Sequence, residues 1–157
     1  MFRPLALLLV LAATGAVAAD NQDDHLSELG DVRVLHAWTT PPENGEVRIY
    51  LDIENNGDVG IRLIGAQVQG AGKAVVAGLD FRTEGMPSVE IGAFPVPAGS
   101  ALQLAPMGPF LLIKGLDPVV GTSFDIDLEF DPLGQLEVHV DVEAEGTKEH
   151  PHAGHNH

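Results

Sequence analysis

Histidine carries most of the chemistry this sequence could do. Seven histidines stand in 157 residues, and His150, His152, His155 and His157 fall within the last eight. They belong to the run TKEHPHAGHNH, Thr147 to His157. Neutral imidazole is a ligand for copper, zinc and nickel, and a flexible chain can fold several rings around one ion. A tract of this composition has little to pack into a core, and metal binding is its usual chemistry. Its spacing is not that of a plain hexahistidine tag, so the four tail histidines are expected to form an exposed metal site. His25 and His36, ten residues apart in between, are a second pair. An ion shared between them accounts for the pair. On spacing alone, a strand histidine and a solvated leader histidine account for it better. His139 alternates outward with Asp141 and reads as surface.

The remaining composition narrows the chemistry. There is no cysteine, which excludes disulfides, thiolate metal sites and cysteine nucleophiles. Any metal must be held by His, Met, carboxylate or backbone groups, so the usual Cys-rich structural zinc sites are ruled out. Serines are few, and no nucleophile elbow, phosphate-cradling Gly-Lys loop or His-Glu-x-x-His is present. An ordinary hydrolase is not supported. The 23 Asp and Glu outnumber 8 Lys and Arg, a balance unsuited to nucleic acid, whose binding depends on neutralising phosphates. A cation is the more natural partner.

The elements that must position these residues begin after a secretory leader. Met1 to Ala19 has Arg3 in a basic n-region, an apolar run from Leu5 to Ala13, and Ala16-Val17-Ala18-Ala19 at the cleavage positions. The apolar run is too short to span a bilayer comfortably, which takes ~20 residues. The expectation is a cleaved signal peptide over 1–19, and a periplasmic protein with no transmembrane segment in its mature chain. Losing Arg3 takes the formal net charge from −15 to −16. Residues 20–30 read as a polar leader carrying His25, 31–145 as one folded domain, and 146–157 as a flexible tail.

Within the domain the apolar period is two, the period of a strand with one packed face. Val47, Ile49, Leu51 and Ile53 alternate with Arg48, Tyr50 and Asp52; Phe124, Ile126, Leu128 and Phe130 with Asp125, Asp127 and Glu129; Leu136, Val138, Val140 and Val142 with Glu137, His139 and Asp141. Phe110 to Ile113 is apolar on both faces and reads as a central strand. Asp131-Pro132-Leu133-Gly134 reads as a hairpin turn. His36 is expected in the first strand, in phase with Val32, Val34 and Trp38. Roughly seven to nine strands and no helical stripe predict an all-β sandwich or barrel.

VRVLHAW, GEVRIYLDIENNG, FPVPAGSALQLAPMGPFLLIKGL and SFDIDLEF follow one another as in the PCuAC domains, the periplasmic copper chaperones. The resemblance spans Val32 to Val142 and implies a cupredoxin-like β-sandwich. Most such domains hold Cu(I) with His-x10-Met-x21-His-x-Met. Here those positions fall on Ala77, Ser88, Phe110 and Leu112, and Met86 and Met107 are out of register. The chain is more similar to a divergent branch from methane-oxidising bacteria. That branch has a His-x10-His motif at the domain's start, and some members add a His-rich extension. The resemblance implies Cu(II) held by a histidine brace at His25 and His36. The third ligand would be the N-terminal amine if His25 were the first residue, and otherwise water, Asp24 or a backbone group. The implied role is a non-enzymatic copper chaperone, buffer or delivery factor. Its partner would be a copper-receiving membrane or periplasmic protein, serving an enzyme such as methane monooxygenase. A histidine-brace copper oxygenase and an interaction module without a core metal are the alternatives.

Overall fold

The computed structural model describes residues 25–150. The expected signal peptide, Asp24, and His152, His155 and His157 lie outside the described residues.

Eleven strands run through the described residues: β1 Leu26–Leu29, β2 Val32–Thr39, β3 Glu46–Asn55, β4 Ile61–Val68, β5 Gly72–Leu79, β6 Ser88–Glu90, β7 Phe94–Val96, β8 Ser100–Leu104, β9 Phe110–Lys114, β10 Ser123–Asp131 and β11 Gly134–Val142. Pairing follows the order β2-β11-β10-β4-β5-β9-β3, and a β2–β3 pairing closes that path into a ring. Closure removes the open edges that invite association. The short strands β1, β6, β7 and β8 extend the walls, which is why the number exceeds the seven to nine expected. The fold is all-β and cupredoxin-like as expected, with the seven strands of that path closed as a barrel. No helix among the described residues is long and apolar enough to cross a membrane.

The alternating strands behave as their period dictates. Val47, Ile49, Leu51 and Ile53 of β3 enter the main core with Ile126, Leu128 and Phe130 of β10 and Val138 and Val140 of β11. The hairpin at Asp131–Gly134 joins β10 to β11 as expected, with Phe130 opposite Gly134. β9 pairs with β3 on one side and β5 on the other. Its Leu111 and Ile113 enter the main core. Its Phe110 and Leu112 enter a second cluster with Trp38, Tyr50 and Ala77. A strand paired on both edges and buried on both faces has to be apolar at every position.

Two expectations about β2 need correction. Regular pairing begins at Leu26, since β1 lies antiparallel on β2; the folded part therefore starts five residues ahead of Asp31. His36 is also not in phase with Val32, Val34 and Trp38. The β2–β3 register breaks between Leu35 and Trp38, so that His36 and Ala37 together oppose Leu51. This is a β-bulge, and it reverses the phase of the strand. Val32, Val34 and Ala37 reach the main core, while Trp38 packs on the outer side with Tyr50. His36 itself takes φ 52°, the left-handed region that costs a residue with a Cβ about 1–2 kcal/mol.

Candidate metal centre

Four sequence-distant groups meet because β2 has a divided edge. Its first half, Val32 to Leu35, pairs with β1. Its last two residues, Trp38 and Thr39, pair in parallel with Asp141 and Val142 of β11. The bulge at His36–Ala37 lies between these two partners. Leu26 is opposite Leu35, so His25, one residue earlier, arrives at the gap from one side. Asp141 is opposite Trp38 and arrives from the other. After β11 the chain turns at Ala144–Thr147, closed by a bond from Thr147 N–H to the Ala144 carbonyl at 3.2 Å. It then returns to bury His150, 3% exposed, over the same gap.

The contacts are close enough for these groups to share an ion. Asp141 Oδ2 lies 3.3 Å from His25 Nδ1 and 3.4 Å from His150 Nε2. One ligand atom from each of His25, Asp141 and His150 falls within 4.8 Å of the others. The ring centroids of His25 and His150 are 5.1 Å apart, and those of His36 and His150 5.7 Å. Donors about 2.0–2.1 Å from a tetrahedral or square-planar ion stand ~2.9–3.4 Å from one another. Both carboxylate–imidazole separations fit that range and exceed the ~2.7–2.9 Å of a charge-assisted hydrogen bond. His36 Nδ1 lies 3.2 Å from Asp52 Oδ2. An ionised carboxylate only accepts, so this contact selects the Nδ1–H tautomer and leaves the Nε2 lone pair for another partner. Burial lowers the pKa of His150, against the raising effect of its bond to Asp141, with the neighbouring His25 and His36 adding to the lowering. The net result favours the neutral ring, the form that binds a metal.

His25 and His36, paired in the sequence reading, share this neighbourhood through His150, which lies close to both. His150 departs from the expectation that the tail makes a separate, exposed site: it is buried within the first one. Asp141 and Asp52, which stand beside these rings, carry no mark in the sequence that sets them apart. Asp141 looked like any outward carboxylate of β11, and only its parallel pairing with Trp38 distinguishes it. His139 is on the surface as expected, 2.8 Å from Asp125.

The four positions of the usual Cu(I) set also come together, with no ligand among them. Ala77 is opposite Phe110. Arg48 lies 5.1 Å above the Phe110 ring and donates to Ser88 Oγ at 3.2 Å. Leu112 completes the apolar cluster. Arg48 places a fixed cation here, and the four positions offer copper neither an imidazole nor a thioether. Met86 and Met107 line a hollow beside it with Tyr50 and Arg48.

The LpqE-like family profile matches residues 31–142. No curated protein matches the chain in sequence. Among solved structures, a copper-bound PCuAC domain from PmoF2 is similar with a TM-score of 0.64 at 22% identity, covering 76% of this chain and 98% of that one. The apo PCuAC domain from PmoF1 gives 0.64 at 26% identity, covering 76% and 99%. The Cu(I) form of DR1885 from Deinococcus radiodurans gives 0.55 at 22% identity, covering 80% and 85%.

Proposed function

This chain belongs to the LpqE-like family, and we propose that it is an exported copper-binding protein that buffers or delivers Cu(II). The observation that carries this reading is the convergence of His25 and His150 on Asp141, with His36 alongside. Three imidazoles and a carboxylate are nitrogen and oxygen donors, a set that suits Cu(II) and offers Cu(I) no thioether. A brace at His25 and His36, with the amine as third donor, requires His25 to be the mature N-terminus. Asp141 and His150 supply further donors that do not depend on where the leader is cut. Asp52 positions His36 by holding its Nδ1 proton. His152, His155 and His157 follow directly and provide a weaker capture site. The role is binding and transfer without catalysis. The recipient would be an envelope copper protein, with methane monooxygenase the enzyme that the resemblance to the branch from methane-oxidising bacteria suggests. The fold shared with a copper-bound domain supports the copper-binding part of this reading.

The test is a Cu(II) titration followed by electron paramagnetic resonance. One tightly bound ion per chain is expected, with a type-2 signal split by nitrogen. A chain ending at His150 should keep that ion and lose the excess. Substituting His36→Ala or Asp141→Asn should weaken it by at least about tenfold. A silent spectrum with tight Cu(I) binding would overturn the reading.

A further inference from the structure

We propose that residues 145–150 form a strap latched by the bound ion, so that metal release requires this segment to swing away from the barrel. The inference rests on the copper reading and concerns how that site is opened. The strap leaves β11 through a turn in which Gly146 has φ 84°, a conformation glycine adopts without strain. Among the described residues, no hydrogen bond or ion pair joins Lys148 or Glu149 to the barrel. The segment is fastened at its far end, where His150 meets Asp141, His25 and His36. These are the groups proposed to hold the metal, so the fastening and the ligand set are the same residues.

What the strap covers follows from the hollow beneath it. Lys148, Glu149 and His150 face Leu104 and Pro106 across a space of about 220 Å³ that reaches His36 and Asp52. Lifting the strap would remove one imidazole and open His36 to water and to an approaching ligand in a single motion. A donor that detaches with a short hinged segment lets an ion be held tightly when the strap is closed and exchanged when it is open. Local opening of this kind takes little free energy where backbone bonds to the body are few.

Lys148 makes the strap testable, because trypsin cuts after it and would release residues 149–157. Arg82, 92% exposed in the loop after β5, is an internal control for protease activity. The full chain is digested with and without Zn(II), and again with Cu(II), while equilibrium dialysis reports binding. With metal at ten times its dissociation constant, cleavage after Lys148 should slow by up to about tenfold, less in proportion to the metal that the open form retains, while cleavage after Arg82 is unchanged. In His150→Ala, protection of Lys148 should vanish while the remaining ligands still retain metal in dialysis. If the wild-type chain binds metal and Lys148 is cut at an unchanged rate, the latch is refuted and the copper reading stands. If dialysis shows no bound metal, the copper reading fails and the latch with it.

Discussion

The backbone of His36 gives a test of the site that needs no metal. In the folded protein this residue has φ 52° within the β2 bulge. His36→Gly and His36→Ala both delete the imidazole and its contact with Asp52, so those losses cancel when the two variants are compared. What differs is the backbone. Alanine in the left-handed region costs about 1–2 kcal/mol. Glycine escapes that penalty but loses more chain entropy on folding, about 0.5–1 kcal/mol relative to alanine. Taking the middle of each range, the apo His36→Gly protein should therefore be the more stable by about 0.75 kcal/mol. For a domain of this size that raises the melting temperature by roughly 1–4 °C. Glu137, exposed in β11 and with no positive φ, is the control: there the alanine variant should exceed the glycine variant by about the same amount. Urea denaturation of the four apo proteins measures the differences. If alanine at position 36 proves as stable as glycine, the bulge does not hold residue 36 in a strained conformation, and the positioning argument for His36 fails.

Two further outcomes follow. Because burial depresses the pKa of His150 below the ordinary 6.5, folding releases a proton once the unfolded ring is charged. Its share of stability is present above about pH 6.5 and lost as pH falls through the depressed folded value; urea midpoints from pH 7.5 to 5 should therefore drop more steeply in the wild type than in His150→Gln, and parallel curves would refute this. Phe110 is fully buried between paired strands, with the Tyr50 ring 6.4 Å away and Arg48 above it, so Phe110→Ala should cost about 3–5 kcal/mol in a urea melt; a loss under 1 kcal/mol would mean that the second cluster is not packed.

Some of this protein could be read from the chain alone, because the relevant physics is local. A strand with one wet face must alternate, so β3, β10 and β11 are visible in Val47–Ile53, Phe124–Phe130 and Leu136–Val142. A strand buried on both faces cannot alternate, so Phe110–Ile113 announces β9. Ligand chemistry is also local: imidazoles without cysteine, and no His or Met at 77, 88, 110 and 112, point to nitrogen and oxygen donors. The strand Leu26–Leu29 was hidden because four half-polar residues have no period to show and depend on β2 for their pairing. The bulge was hidden because a left-handed His36 is imposed by the mismatch between β2 and β3, not by any preference of histidine. Asp141 and His150 could not be told from their neighbours by type or spacing. They join the site because a parallel contact between β11 and β2 sets Asp141 beside Trp38, and because the chain turns back at Gly146. Coordination depends on distances of a few ångströms between residues more than a hundred positions apart, and only closure of the barrel fixes those.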